Sequence, residues 1–83
     1  MAIPDYQSLM LPVLKVSANS ETRIGDAITR LADELGLTPE ERAQLLPSGV
    51  QGLFANRVRW AKFYLAKAGL IEMTRRGYFK ITP

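Results

Sequence analysis

Residues 53–82 have the sequence LFANRVRWAKFYLAKAGLIEMTRRGYFKIT, and this stretch decides the fold. Apolar side chains recur every three to four residues from Leu53 to Ala68, which predicts a helix. Gly69 is expected to end that helix, because glycine is the commonest residue just past a helical C-terminus. The apolar positions share one broad face of the helix. The positions that point away from it are Asn56, Arg59, Lys62, Phe63 and Ala66.

A β-hairpin is predicted directly after this helix. Residues 70–73 and 78–82 are rich in Ile, Tyr, Phe and Thr, which favour strands. Residues 74–77 join them as a tight turn, with Gly77 available for positive φ. Three basic side chains of the hairpin are predicted to face solvent, two at its tip and one on its second strand: Arg75, Arg76 and Lys80.

Two more helices are predicted upstream. Residues 24–35 carry apolar side chains along one continuous face, and Gly36 follows as a C-terminal glycine. Thr38 and Glu41 have the spacing of a capping box, in which each side chain satisfies a backbone N–H at a helix start. A short acidic helix is therefore expected from Thr38 to about Leu46.

The N-terminal segment contains one difficulty. Residues 3–17 show a helical stripe, but Pro12 lies inside it and lacks the N–H that a helix interior requires. The helix is therefore expected either to bend at Pro12 or to start later than Pro4. Residues 21–23 are interpreted as a short extended piece between this helix and the next.

The predicted order is helix, short strand, helix, helix, helix, strand, strand. A basic last helix followed by a hairpin is the arrangement of a winged helix-turn-helix, in which one helix enters the major groove of DNA. We therefore expect a mostly α fold with a small β-hairpin. It would be a winged helix-turn-helix with an extra helix inserted before the recognition helix, forming a single domain over residues 1–83.

The same periodicity predicts which side chains are buried or paired. The expected buried residues are Ile24, Ile28, Leu31, Val58, Ala61, Tyr64 and Leu65. Trp60 lies at the margin of the core face of the last helix and is interpreted as core. Arg57 is interpreted as structural, paired with an acid from the first half of the chain. Asp26 and Arg30 are predicted to form an i,i+4 ion pair.

The composition excludes several classes of function. The chain has no Cys and no His. Disulfides, zinc sites of the Cys/His type and Ser-His-Asp triads are therefore impossible within it. No metal or cofactor is expected. Neither a signal peptide nor an apolar run long enough to span a membrane is visible, so a cytoplasmic protein with no membrane partner is expected.

Charge is distributed unevenly along the chain. Residues 1–56 contain four basic and seven acidic residues, whereas residues 57–83 contain seven basic residues and one acidic residue. The basic segment is interleaved with aromatic side chains, which is typical of a surface that contacts nucleic-acid phosphates. A solubilising charged face is the alternative interpretation.

The chain resembles the N-terminal domain of Mrr-type restriction proteins over nearly all its length. The residues that carry the resemblance are Ile3-Pro4-Asp5-Tyr6, Leu11-Pro12-Val13-Leu14, Pro47-Ser48-Gly49, Asn56-Arg57-Val58-Arg59-Trp60-Ala61, Tyr64-Leu65, Lys67-Ala68-Gly69-Leu70 and Arg76-Gly77.

The resemblance implies a winged-helix DNA-binding module. In that family it is linked to a C-terminal nuclease domain of the PD-(D/E)xK type, which cleaves modified, typically methylated, foreign DNA. The sequence departs from a nuclease pattern, because Pro4-Asp5 is a PD pair with no Glu-x-Lys or Asp-x-Lys after it. We therefore expect no catalytic residues here, and we expect the chain to be the N-terminal part of a longer protein.

The predicted DNA-binding residues come from the loop before the last helix, from that helix and from the hairpin. They are Ser48, Gln51, Asn56, Arg59, Lys62, Phe63, Arg75, Arg76 and Lys80. Asn56 and Arg59 suit adenine, guanine or phosphate. Phe63 suits thymine methyls or the sugar backbone, or it packs under the first helix or against the hairpin. Ser48 and Gln51 either bond phosphates or serve only the loop and the helix cap.

Two functions remain open from the sequence. The first is a module that brings a linked nuclease to duplex, including methylated, DNA in restriction of foreign DNA. The second is a winged helix used for protein interaction or dimerisation, because fold alone does not determine function. A homo-oligomer stays open as well. RNA binding is less well supported, because the chain lacks the aromatic sheet pattern of RNA-recognition modules.

Overall fold

The computed structural model describes residues 3–18, 20–45, 49 and 52–82. Over these residues the chain is mostly helical, with a small antiparallel sheet. The elements in chain order are α1 (Tyr6–Val16), β1 (Thr22–Arg23), α2 (Ile24–Glu34), α3 (Pro39–Ala43), α4 (Leu53–Lys67), β2 (Ile71–Arg75) and β3 (Tyr78–Ile81).

Helix α1 begins later than Pro4, which was one of the two outcomes expected from its internal proline. Asp5 caps the helix, because its carboxylate accepts a hydrogen bond of 2.8 Å from the Ser8 backbone N–H. Pro12 remains inside the helix. Leu9 and Val13, on the apolar side of α1, are fully buried, whereas Met10 and Leu14 are half-buried.

Helix α3 is shorter than the sequence predicts. The expected capping box is present, since Thr38 and Glu41 each accept a hydrogen bond from the other's backbone N–H. The helix nevertheless ends after Ala43, because the backbone of Gln44 is already extended. The Gln44 carbonyl instead accepts a 2.8 Å bond from the N–H of Leu53, which ties the end of α3 to the start of α4.

The sheet has three strands in the order β1-β3-β2, and not the two of the predicted hairpin alone. Strand β1 pairs antiparallel with β3 and aligns Thr22 with Phe79. The sequence shows a short extended piece here but not its partner, which lies more than fifty residues away. A bulge between Met73 and Arg75 lets β2 continue to Arg75, so the turn is formed by Arg76 and Gly77.

The core lies where α1, α2, α4 and the inner face of the sheet meet. Its largest fully buried side chains are Phe79, Leu9, Leu31, Leu65, Val13 and Val58. The predicted burial of Leu31, Val58, Ala61 and Leu65 is confirmed. Ile24 and Ile28 are only half-buried, and they pack against the edge of the core.

Two aromatic residues of α4 were wrongly predicted to be core. Tyr64 is 37% exposed and Trp60 is 47% exposed. The neighbouring elements cover only a narrow stripe of α4, formed by Phe54, Val58, Ala61 and Leu65. The sequence pattern therefore predicts a wider buried face of α4 than the neighbouring elements cover in the structure.

Candidate nucleic-acid interface

One side of α4 carries a row of polar, basic and aromatic side chains. Asn56, Arg59, Trp60, Phe63 and Lys67 follow the spacing i, i+3, i+4, i+7 and i+11, so they lie on one side of the helix, opposite the buried stripe. We call this set the outer face of α4. Its first four residues line an open cleft of about 210 Å³.

An aromatic cluster forms part of this face. The Phe63 ring is 49% exposed and meets the Trp60 ring edge-on at 5.7 Å between centroids. It meets the Tyr64 ring in the same way at 5.5 Å, and the Lys67 ammonium lies 5.6 Å from its centroid. Tyr64 stacks on Tyr6 of α1 at 5.0 Å. The ring contacts of Phe63 are thus with its own helix, and the ring faces outward as predicted.

Most cations away from the outer face of α4 are paired with acids. The pairs are Arg23–Asp26 at 3.0 Å, Arg30–Glu34 at 3.3 Å, Arg42–Asp33 at 2.8 Å, Arg75–Glu21 at 3.0 Å and Lys80–Glu72 at 3.6 Å. The predicted pair of Asp26 with Arg30 is wrong. Asp26 lies in the first turn of α2, within reach of Arg23 just before the helix, and Arg30 reaches Glu34 one turn further on.

A second set of cations lacks such partners. Within residues 3–18, 20–45, 49 and 52–82, no acid forms an ion pair with Arg59, Lys62, Lys67 or Arg76, nor with Lys15 of α1. Arg59, Lys62 and Lys67 lie on α4, and Arg76 lies in the hairpin turn. Lys62 is half-buried on the flank of α4, and this burial, together with the nearby Arg59 charge, lowers its pKa.

Arg57 is structural, but with a partner other than the predicted acid. One of its guanidinium nitrogens donates to the carbonyl of Ile3 at 2.7 Å and to the carbonyl of Pro4 at 3.2 Å. These bonds fasten the segment before α1 to α4. The sequence shows the inward position of Arg57 but not the chain segment that approaches it.

Two cations of the hairpin, Arg75 and Lys80, form ion pairs with acids. Both Nε and Nη2 of Arg75 contact Oε1 of Glu21, at 3.1 and 3.0 Å, and its guanidinium lies 4.0 Å from the Tyr78 ring centroid. The nearby Thr74 hydroxyl and the Arg75 charge lower the pKa of Glu21. Lys80 faces outward as predicted, directly across the sheet from Glu72.

The predicted site residues therefore separate into groups. Asn56, Arg59 and Phe63 come together on the outer face of α4, and Lys62 flanks it. Arg76 is in the turn without an ion-pair partner among the described residues, whereas Arg75 and Lys80 are neutralised by acids. Ser48 and Gln51 lie outside the described residues.

Sequence reasoning missed two members of the outer face of α4. Trp60 was assigned to the core, and Lys67 was not selected at all. The signal for both was present in the spacing, because residues 56, 60, 63 and 67 repeat at i, i+4, i+7 and i+11. That repeat is the pattern of a helical stripe whether the stripe faces a core or a ligand.

Two other kinds of site are absent from the described residues. In the part of the chain that the structure describes, no helix is long and apolar enough to cross a membrane. Within the same residues, no three or more Asp and Glu side chains cluster in a way that could hold a metal ion.

Comparisons with known proteins identify the family to which the chain belongs. The chain is 35% identical over 85 residues to the type IV methyl-directed restriction enzyme EcoKMrr of Escherichia coli strain K12. The alignment covers all of this chain but only 28% of the length of that enzyme. No solved structure matches the chain. The model of the Mrr N-terminal domain matches residues 6–83, and the chain therefore belongs to the Mrr N-terminal domain family.

Proposed function

We propose that this chain is a winged-helix module that binds duplex DNA and brings a linked nuclease domain to it. The observation that carries the proposal is the distribution of cations. Arg59, Lys62 and Lys67 of α4 and Arg76 of the hairpin turn lack acid partners among the described residues, whereas five cations elsewhere are paired. Unpaired, clustered cations attract phosphates, because their charge is not already cancelled within the protein.

The shape of the surface suits this role. The major groove of B-DNA is about 12 Å wide and admits one α-helix. The outer face of α4 would enter it, so that Arg59 reaches guanine or phosphate and Asn56 reaches adenine or phosphate. Lys62 and Lys67 would contact the backbone. The hairpin would act as the wing, with Arg76 on the neighbouring backbone or minor groove.

The remaining predicted residues have subordinate roles in this proposal. Arg75 and Lys80 would contact phosphates only by giving up or sharing Glu21 and Glu72. Because these acids already cancel much of the charge, Arg75 and Lys80 would each add less to the salt dependence of binding than an unpaired cation does. Ser48 and Gln51 would contact phosphates from the loop before α4.

The proposed role in restriction is based on the similarity to EcoKMrr. EcoKMrr is named as a methyl-directed restriction enzyme, and this chain corresponds to 28% of its length. We propose that the chain has no catalytic role, that a linked domain cuts the DNA, and that methylated DNA is among its targets. Restriction of incoming DNA would take place in the cytoplasm.

A second function is favoured by one observation. The exposed aromatic cluster of Trp60, Phe63 and Tyr64 resembles the centre of a protein interface, where aromatic residues and arginine are enriched. In this alternative, the outer face of α4 would pack on a protein, including a second copy of the chain. The concentration of unpaired cations on the same surface favours DNA.

A salt titration of duplex binding tests the proposal. Each phosphate contact contributes about −0.9 to the slope of log affinity against log salt concentration. We expect Arg59→Ala and Arg76→Ala each to reduce the slope by about one unit. Arg30→Ala removes the same charge from the paired set and is the matched control, with an unchanged slope expected.

Two outcomes would contradict the proposal. If Arg30→Ala weakens binding as much as Arg59→Ala, only net charge matters and α4 is not the binding surface. If the chain does not bind duplexes but self-associates, and Phe63→Ala abolishes the association, the interaction function is correct.

A further inference from the structure

We propose that the cleft on α4 recognises the C5 methyl group of a pyrimidine in the major groove, next to a base pair contacted by Arg59. This inference rests on the proposed function, because it assumes that the outer face of α4 meets the bases. It assigns a specificity role to Trp60 and Phe63, which form the apolar part of the cleft.

The composition of the cleft is the first argument. The exposed rings of Trp60 and Phe63 meet edge-on at 5.7 Å, which leaves an apolar surface open to solvent between polar neighbours. Asn56 and Arg59 complete the lining. Two large rings exposed by roughly half, on a helix face that also carries cations, are costly in water unless an apolar group covers them.

The available apolar groups in DNA are the second argument. Of the groups that base pairs present in the major groove, the C5 methyl of thymine is apolar, whereas the others are hydrogen-bond donors and acceptors. A methyl at C5 of cytosine occupies the equivalent position. The cleft is open to solvent and does not enclose a ligand, so it suits a methyl group on a stacked base better than a whole base taken out of the helix.

The spacing along α4 is the third argument. Arg59 and Phe63 are four residues apart, or about 6 Å along the helix axis. Successive base pairs are about 3.4 Å apart. Two side chains separated in this way reach neighbouring base pairs when the helix lies obliquely in the groove. Arg59 would thus bond guanine O6 and N7 while Phe63 covers the methyl group beside it.

Four pools of the same random-sequence duplexes test this inference. The pools are copied enzymatically with thymine or uracil and with cytosine or 5-methylcytosine, so they differ only in C5 methyl groups. We expect the methyl-free pool to bind about fourfold more weakly than the best methylated pool, the effect of burying one methyl-sized group. If only the thymine pools gain affinity the source is thymine, and if only the 5-methylcytosine pools gain it the source is the modified base.

Variants locate the effect on the cleft. Phe63→Ala should remove most of the difference between the pools, whereas Phe63→Leu should retain it, because leucine keeps an apolar side chain there. Leu11→Ala is the matched control, since Leu11 is also a large exposed apolar residue but lies on α1. It should leave the difference unchanged. Circular dichroism checks that each variant is folded.

The outcomes separate this inference from the function on which it rests. If all four pools bind equally and remain sensitive to Arg59→Ala, the module binds DNA and the methyl inference is wrong. If the pools differ but Phe63→Ala preserves the difference, the cleft is not the reader of the methyl group, and the inference is again wrong. If no pool binds, the proposed function fails together with it.

Discussion

The two long faces of α4 follow the same helical repeat but meet opposite environments. Phe54, Val58, Ala61 and Leu65 are buried, at 2% exposure or less, whereas Trp60 and Phe63 on the other face are about half exposed. The presence of large apolar side chains does not distinguish the two faces, because both faces carry them. They differ in their neighbours, because cations accompany the aromatics only on the outer face.

The comparison extends to the charges of the whole molecule. On α2 and α3, Arg30 and Arg42 are neutralised by Glu34 and Asp33 within the chain. On α4, Arg59 has no ion-pair partner among the described residues. Surface charges that satisfy one another contribute to solubility, but their field beyond the surface is small. Arg59, Lys62 and Lys67 of α4 and Arg76 of the hairpin turn therefore carry positive charge that no acid of the described residues pairs with.

The largest expected effect separates the two faces by stability. Leu65→Ala should lower the free energy of unfolding by about 2–5 kcal/mol, because it leaves a cavity in a core that includes Leu31 and Phe79. Phe63→Ala, a substitution on the outer face of α4, should change the free energy of unfolding by less than about 1 kcal/mol. Urea denaturation measures both values. Equal losses would mean that the outer face of α4 is also a packing surface.

Much of the fold follows from local sequence chemistry. The capping box of Thr38 and Glu41 and the glycine after α2 determine where helices start or end, and both depend on nearby residues. The pairing of β1 with β3 could not be predicted in the same way. Its two-residue strand has no periodicity to read, and its partner is distant in the chain.

The site was predictable in kind but not in detail. The periodicity of α4 identified Asn56, Arg59 and Phe63 as outward, and the structure agrees. It could not show that Trp60 is exposed, because the width of a buried stripe depends on how the neighbouring elements pack. Nor could it show that Glu21 neutralises Arg75, since that contact joins positions 54 residues apart.

Adjacent arginines in the hairpin offer a sharper test of the charge comparison. Arg76→Ala should reduce the salt slope of duplex binding by about one unit, whereas Arg75→Ala should reduce it by less than half a unit. The reason is that Glu21 already cancels the Arg75 charge at 3.0 Å. Fluorescence anisotropy at several salt concentrations gives both slopes. Equal slopes for the two variants would show that the ion pair opens completely on binding.

The same ion pair predicts a small effect of acid on stability. The pKa of Glu21 is lowered in the folded chain by the Thr74 hydroxyl and the Arg75 charge. The stabilisation is therefore complete above the ordinary glutamate pKa of about 4.3 and is lost as the pH falls through the lowered value. Thermal unfolding of the wild type and Glu21→Gln should converge at acid pH. A constant difference between them down to pH 2 would contradict this origin.

The smallest expected effect concerns Lys62 at alkaline pH. Burial and the neighbouring Arg59 charge lower the pKa of Lys62, so the free protein loses this charge at a lower pH than other lysines do. Affinity for duplex DNA should accordingly fall as the pH rises towards the ordinary lysine value of about 10.4. Lys62→Arg should remove the early part of that fall, because arginine stays protonated throughout the range. Lys67→Arg, on the fully exposed side of the same helix, is the matched control and should leave it in place. If the two variants give the same profile, Lys62 does not contact the DNA, and the binding surface is limited to the outer face of α4 and the hairpin turn.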